Sequence, residues 1–457
     1  MAKKKQIELT IEEKLQNALV PKEEQPYKIP NNWCWVRLES INKYKSETLN
    51  PKNAMEKMFE LYSVPSFDNK YPEILIGKDI GSNKYIVKKN DILLCKINPR
   101  INRVWQVYQH TNFGQICSSE WIVIRNEILN KSFLRYYFTS EYFRNRLCEN
   151  VSGVGGSLTR AKPKLVQLYE VPLSPINEQQ RIVNIIESLF AKLDRAKELI
   201  ENTLAQFEQN KMAILHKAFT GELTAKWRKE NNIDLSSWKD VIMQDICEKI
   251  VCGKTPTGYI SKTGEIPYLK VYNIVDNKID FNKTAQFIPN KIHKEKLKSS
   301  ILKPNDIIMN IVGPPLRKIA IIPDNYPEWN MNQAIVRFRV KKDVMYKFIY
   351  YILIYPKTLD NIINKTKGVV GQANISITQS RNIQIKLPTV EEQQEIVNIL
   401  DNLLAKYNKI KNLEQQLEKI ELLKKAILAK AFRGELGTNN PDEESAENLL
   451  KEILAEK

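Results

Sequence analysis

Two segments of this chain repeat one another, and that repetition constrains the fold more than any other feature. Residues 178–192, EQQRIVNIIESLFAK, return as residues 392–406, EQQEIVNILDNLLAK, 214 positions later. Glu178, Gln179, Gln180, Ile182, Val183, Asn184, Ile185, Leu189, Ala191 and Lys192 are identical in the second copy. Further on, AILHKAFTGEL at 213–223 returns as AILAKAFRGEL at 426–436, at a shift of 213, so one residue has been dropped between the matching ends. Matches this dense mark a tandem duplication, and the 457 residues must fold as two related halves.

The repeat continues weakly outside these segments. Val87-Lys-Lys-Asn-Asp91-Ile-Leu-Leu answers Leu302-Lys-Pro-Asn-Asp306-Ile-Ile-Met, and Gly153-Val-Gly-Gly156 answers Gly368-Val-Val-Gly371. Each half is a divergent block followed by a near-identical segment; divergent parts suggest different tasks, shared parts a common one. The net charge of +17 follows the same plan. Lys and Arg minus Asp and Glu gives +1 for residues 1–28, +8 for 29–175, +1 for 176–230, +11 for 231–388 and −4 for 389–457. Two basic modules separated by nearly neutral sequence suit a protein that grips a polyanion at two places, although a Lys-rich solvated surface gives the same count.

The shared segments read as long helices. In the first, Ile186, Leu193, Ile200, Phe207 and Ile214 recur every seven residues, with Leu189 and Ala196 interleaved, as in a coiled-coil seam. In the second, Leu400 and Tyr407 keep the step, and Leu413, Ile420 and Ile427 continue it after a one-residue slip near Lys411–Leu413. Thr389 and Glu392 have capping-box spacing, and Gly221 and Gly434 stand where a C′ glycine ends each helix. About forty residues at 1.5 Å each make a rod of roughly 60 Å, whose two seams bury each other in one intramolecular pair. The competing expectation, that these helices are core elements of a compact bundle, lacks a third long helix.

The basic blocks combine short β-branched runs (Ile92–Cys95, Trp121–Ile124, Ile307–Val312, Ile319–Ile322) with helical stretches (Phe133–Arg146, Met345–Tyr355). Asn-Pro-Arg at 98–100 and Gly-Pro-Pro at 313–315 mark loops at comparable places. Six cysteines without a C-x-x-C pair and only three histidines argue against zinc and disulfides, and leave acid–base or triad chemistry little to work with. Gly253-Lys254-Thr255 lacks the first glycine of a phosphate-binding loop, which would fall at Glu248. The Asn/Asp-Pro-Pro-Tyr/Phe tetrapeptide of amino-group DNA methyltransferases is also missing; Asn98-Pro-Arg-Ile and Gly313-Pro-Pro-Leu only echo it. A binding protein is expected rather than an enzyme. No apolar run approaches eighteen residues, and no apolar region follows Met-Ala-Lys-Lys-Lys, so the expected location is the cytoplasm.

Taken together, the chain resembles the specificity subunit of type I restriction-modification enzymes. The resemblance rests on Val171-Pro-Leu-Ser-Pro-Ile-Asn-Glu-Gln-Gln180 and Ile385-Lys-Leu-Pro-Thr-Val-Glu-Glu-Gln-Gln394 leading into the long helices. It rests also on the Lys-Ala-Phe-x-Gly-Glu-Leu ends at 217–223 and 430–436, and on Trp227-Arg228. Further support comes from Ile29-Pro-Asn-Asn-Trp33, Gly253-Lys-Thr-Pro256 and Ile266-Pro-Tyr-Leu-Lys270. The resemblance implies an α+β fold: two target-recognition domains of mixed α/β character joined by a long antiparallel two-helix coiled coil, with an internal pseudo-two-fold repeat. The expected division is an N-terminal helical segment at 1–28, domain 1 at 29–175 and helix 1 with its linker at 176–230. Domain 2 at 231–388, helix 2 at 389–436 and a linker with a C-terminal helix at 437–457 complete it.

The resemblance also implies that each domain reads one half of a split, asymmetric site in double-stranded DNA. Two methyltransferase subunits and two motor-nuclease subunits would dock on the chain. It would bind no cofactor itself; the complex would use S-adenosylmethionine, with ATP and Mg for restriction. For DNA contact, the loops of the first domain offer Lys96, Asn98, Arg100, Arg103, Ser157, Thr159, Arg160 and Lys162. Those of the second offer Lys254, Thr255, Arg317, Lys318, Lys367, Gln372 and Asn374. At the ends, Thr10-Ile-Glu-Glu13 is a capping box before Leu15, Ala18 and Leu19, and Leu449, Leu450, Ile453 and Leu454 form a stripe after a linker at 437–445. The resemblance implies that these end helices approach each other or contact the methyltransferase; solvent-facing caps are the alternative. Two other classes stay open: a methylating or restricting enzyme in its own right, and a coiled-coil scaffold whose basic end domains bind proteins or nucleic acid without sequence specificity.

Overall fold

The structure is a computed structural model that describes residues 9–152, 159–313, 315–366, 374–408 and 411–456. The chain divides into two compact units, Met1–Ile200 with Gln415–Lys457, and Glu201–Glu414.

In the first unit, an antiparallel pair, Cys34–Arg37 with Glu170–Leu173, closes the basic block at its two sequence ends. A three-stranded sheet in the order Val104–Gln106, Ile92–Cys95, Trp121–Ile124 forms its centre, beside a five-stranded sheet that includes Met58–Tyr62 and Gly114–Cys117. Ile92–Cys95 and Trp121–Ile124 are buried at every residue, which suits continuous β-branched and apolar runs. The stretch expected as one helix over Phe133–Arg146 is two, Lys131–Thr139 and Glu141–Glu149. Ser140 between them is extended and accepts a hydrogen bond from the Phe143 N–H, so it caps the second helix and ends the first.

The second unit repeats this plan. Lys239–Ile242 pairs with Gln384–Leu387, and a four-stranded sheet runs in the order Cys247–Cys252, Ile335–Val340, Ile307–Asn310, Ile319–Ile321. Tyr346–Ile354 is the helix expected at Met345–Tyr355.

The weak repeat around Asp91 and Asp306 marks one device built twice. Arg125 donates from Nε and Nη2 to Asp91 at 2.7 and 2.6 Å, and Arg339 does the same to Asp306 at 2.8 and 2.6 Å. Each carboxylate also accepts the backbone N–H three residues upstream, from Lys88 and Lys303. Asn90 and Asn305 before them take positive φ, 76° and 70°, which asparagine tolerates better than most residues. These clasps lock the turn before the central strand to the strand beside it, and the carboxylates hold both guanidinium pKa values above the usual arginine range.

The near-identical segments are helices Ile176–Thr220, Val390–Asn408 and Lys411–Phe432. In the first unit Lys197 meets Glu421 at 3.0 Å and Lys424 meets Asp194, so the two helical segments there run antiparallel. In the second unit Leu215, Ala218 and Phe219 share a core with Ile396, Val397 and Leu400. The expected seam is unevenly buried. Ile186, Leu400 and Ile420 are buried, while Leu193, Ile200, Phe207, Ile214, Leu413 and Ile427 are only partly so. The side chain of Tyr407 lies outside the described residues. Two helices cover one face of each other, so much of the seam stays half-buried, and Ile182, Val183 and Ile186 are fully covered because they also enter a domain core.

The doubled Glu-Gln-Gln explains how each helix is anchored. Glu178 is fully buried and accepts from the Trp33 indole at 2.7 Å, the Thr438 hydroxyl at 3.0 Å and the Asn439 amide at 3.1 Å. Glu392, equally buried, accepts from the Trp238 indole at 2.8 Å, Thr224 at 2.6 Å and Arg228 at 2.5 Å. Gln179 ties the Ser174 carbonyl to the Asn130 N–H, and Gln393 ties the Pro388 carbonyl to the Met345 N–H. The capping box expected at Thr389 is therefore only half formed. Its hydroxyl accepts from the Glu392 N–H at 3.4 Å, but the Glu392 side chain points inward to Trp238. Gly221 and Gly434 end the helices at φ of 82° and 74°, as expected of C′ glycines.

The chain ends are not isolated caps. The capping box of Thr10 and Glu13 is formed, and helix Ile11–Ala18 packs against helix Ala446–Ala455. The Ala446 N–H donates to the Asn32 carbonyl at 2.9 Å.

Candidate nucleic-acid interface

The loops that leave the central strands share their left-handed positions and their bridges in both units. Lys96-Ile-Asn-Pro-Arg-Ile-Asn-Arg103 follows strand Ile92–Cys95, and Ile311-Val-Gly-Pro-Pro-Leu-Arg-Lys318 follows strand Ile307–Asn310. Positive φ occurs at the third and seventh positions of each: Asn98 49° and Asn102 52°, Gly313 85° and Arg317 73°. The Cys95 N–H donates to the Arg103 carbonyl, and the Asn310 N–H to that of Lys318. A returning segment bridges each loop, Ile97 to Arg160 and Val312 to Asn374. One sheet end in each unit therefore gathers loops far apart in sequence.

In the first unit this gathering includes most of the predicted residues. The Lys96 carbonyl accepts from Ala161 at 2.8 Å, and the Asn98 N–H donates to the Thr159 carbonyl at 2.8 Å. Lys96, Arg160 and Lys162 line a groove of about 560 Å³ with Lys164, which the sequence reading missed. Its spacing from Lys162 across Pro163 was the available signal. Arg160 lies 3.3 Å from Glu120, an exposed pair of little strength. Arg100 is exposed on the loop, whereas Arg103 is partly buried, with a buried Nε that has no partner among the described residues. Ser157 lies outside the described residues.

In the second unit Lys254 and Thr255 are exposed beside Met331 and Gln333, next to the strand that carries Ile335. The Tyr268 hydroxyl donates to the Lys254 carbonyl at 2.9 Å, which fixes that turn. Lys318 is partly buried, and its N–H donates to the Asn310 side chain at 2.8 Å. Asn374 is exposed at the bridge to Val312. Arg317 is paired with Asp360 at 2.5 Å, both side chains partly exposed. Lys367 and Gln372 lie outside the described residues.

This arrangement supplies charge and hydrogen-bonding groups and little else. All six cysteines are free thiols, and burial pushes Cys247, for one, up to about 12, so it stays protonated and inert near neutrality. Among the described residues no group of three or more His, Cys, Asp or Glu could hold a metal, and no helix is long and apolar enough to cross a membrane.

Two pseudo-equivalent mixed domains, each with a polar loop cluster at one sheet end and each anchored on the long helices, define a tandemly duplicated α+β protein. The chain belongs to the family described as the type I restriction modification DNA specificity domain, which matches residues 30–206 and 236–422. It is 27% identical to the type I restriction enzyme EcoKI specificity subunit of Escherichia coli, over 84% of each chain. It is 24% identical to the MjaVIII specificity subunit of Methanocaldococcus jannaschii, over 92% of this chain and 96% of that one. Such relatives are specificity subunits, the non-catalytic DNA-recognition components of type I restriction-modification systems. Among solved structures, a chain of a type I restriction-modification complex matches with TM-score 0.71 at 21% identity, covering 90% of this chain and all of that one. The HsdS subunit of Thermoanaerobacter tengcongensis matches with TM-score 0.55 at 22% identity and the same coverage.

Proposed function

We propose that this chain selects a split, asymmetric target in double-stranded DNA, the first domain reading one half and the second the other, and carries the catalytic subunits that act there. The observation that supports this most is the pair of loops Lys96–Arg103 and Ile311–Lys318, alike in their left-handed positions and bridges and unlike in side chains. Shared anchoring would present each loop to DNA in a similar way, and different side chains would meet different base edges. Phosphate contacts position the chain, and Arg100, Thr159 and Lys162 in one domain, with Lys254, Thr255 and Asn374 in the other, are the candidates for contact. Two methyltransferase subunits dock on the helices, and two motor-nuclease subunits join for restriction. S-adenosylmethionine, ATP and Mg belong to those subunits, and the complex works on the chromosome in the cytoplasm.

The test is genome-wide mapping of methylated adenine in the host with and without this gene. Loss of one split, asymmetric motif on deletion is the expected result. Survival of every adenine motif would overturn the proposal.

A further inference from the structure

The internal repeat permits a residue-by-residue comparison of the two loop clusters. In the first domain Lys96 follows the central strand, its N–H donates to the Glu120 carbonyl at 3.0 Å, and its carbonyl accepts from Ala161. In the second, Ile311 follows the equivalent strand, donates to Ala334 at 2.9 Å and accepts from Ile375 at 2.9 Å. With strands and bridges in register, Lys96 stands where Ile311 does, Glu120 with Ala334 and Arg160 with Asn374. Lys162 and Lys164 correspond to Ser376 and Thr378. The groove of the first domain thus holds four cations, one of them paired with Glu120, and among the described residues the matching positions Ile311, Asn374, Ser376 and Thr378 of the second carry no charge. Arg160, Lys162 and Lys164 are exposed, and Lys162 and Lys164 flank Pro163 on one wall. The second block is the more basic overall, so this difference is a matter of placement and not of composition.

We infer that the two domains divide the work on DNA unequally: the groove of Lys96, Arg160, Lys162 and Lys164 clamps backbone phosphates in the first half-site, while the neutral Asn374, Ser376 and Thr378 contact their half-site without neutralising it. This rests on the reading of the chain as a DNA-recognition subunit. Each lysine that neutralises a phosphate displaces counterions, so the groove carries salt dependence that Asn374, Ser376 and Thr378 do not supply. A cation that meets a phosphate adds affinity for any duplex, whereas hydroxyl and amide groups at base edges discriminate.

The experiment measures the affinity of the complete complex with its methyltransferase subunits for cognate and random duplexes at a series of salt concentrations. Replacing Lys96, Lys162 and Lys164 together by Gln is expected to reduce the slope of log K against log salt by about 2.7, at ~0.9 per lost phosphate contact. It should weaken both duplexes by the same factor. Asn374→Ala with Thr378→Ala should leave the slope unchanged and relax discrimination in one half-site. If the triple variant misfolds, Lys162→Gln with Lys164→Gln, both at exposed positions, should lower the slope by about 1.8. An unchanged slope in a complex that still binds and methylates would overturn this inference alone, as would an equal fall in the Asn374 and Thr378 variant. A complex that binds no DNA would sink the broader reading with it.

Discussion

Trp33 donates its indole N–H to the fully buried carboxylate of Glu178 at 2.7 Å, and so ties the entrance of the first domain to the start of the long helix. Trp238 and Glu392 repeat the contact at 2.8 Å in the second unit. A carboxylate without solvent is tolerable only when several donors surround it, and each of these has three different residues donating to it. Glu178→Ala should therefore strand the Trp33 and Asn439 donors and cost about 3 kcal/mol, with a similar loss for Glu392→Ala. Chemical denaturation of the variants checks this; a loss below about 0.5 kcal/mol would show the tie to be incidental.

The Asp91 and Arg125 clasp makes a sharper comparison because it exists twice. The carboxylates of Asp91 and Asp306 are almost wholly buried, so Asp91→Ala leaves Arg125 without its bidentate partner. The expected cost is about 3 kcal/mol, and Asp306→Ala should match it. A double-mutant cycle with Arg125→Ala or Arg339→Ala measures the coupling, which should be similar in the two copies.

Two glycines four residues or fewer apart should respond differently to alanine. Gly434 has φ of 74°, and an added Cβ would lie 2.3 Å from the Pro30 side chain. Gly437 has φ of 72° but open space around it. Gly437→Ala should cost about 1 kcal/mol for the left-handed backbone alone, and Gly434→Ala clearly more. Thermal melting of the two variants orders them.

Removal of residues 437–457 should destabilise the first unit despite their distance in sequence. Thr438 and Asn439 donate to Glu178, Ala446 donates to Asn32, and Leu450, Ile453 and Leu454 lie in the core of that unit. Hydrogen exchange should show protection lost around Trp33 and Glu178 and kept in the strands of the second unit.

Acid should loosen the same closure. Arg181 binds Glu443 at 2.7 Å and holds its carboxyl below the usual glutamate range. A carboxyl with a folded pKa below its unfolded value stabilises the fold above the unfolded pKa, and that contribution fades as the pH drops through the folded one. The Tm gap between the wild type and Glu443→Gln should thus be open at neutral pH and close below about pH 4. A gap independent of pH would contradict the assignment.

Much of the plan was legible without coordinates. The two copies of Glu-Gln-Gln placed the helix starts, and the glycines at 221 and 434 placed the ends, because helix termination by a left-handed residue is a local matter. The loops expected around 98–100 and 313–315 share a left-handed residue, Asn98 and Gly313, and a bridge to a returning segment. What escaped were contacts with partners distant in sequence. Spacing alone makes Glu392 a capping residue for Thr389, yet Trp238, 154 positions earlier, takes its carboxylate. Nor does any spacing pair Arg317 with Asp360, 43 positions later.

The sequence by itself determined that the protein is a duplication, that its shared segments are helical, and that its charge sits in two divergent blocks. Those properties follow from period, composition and local backbone preference, which neighbouring residues carry among themselves. Only the tertiary structure decided that the shared glutamates are buried ties, that the two chain ends close the first unit, and that Lys96, Arg160, Lys162 and Lys164 converge on one groove of the first domain. Each of these depends on which side chains meet after the chain has folded, and no periodicity encodes a meeting across hundreds of residues.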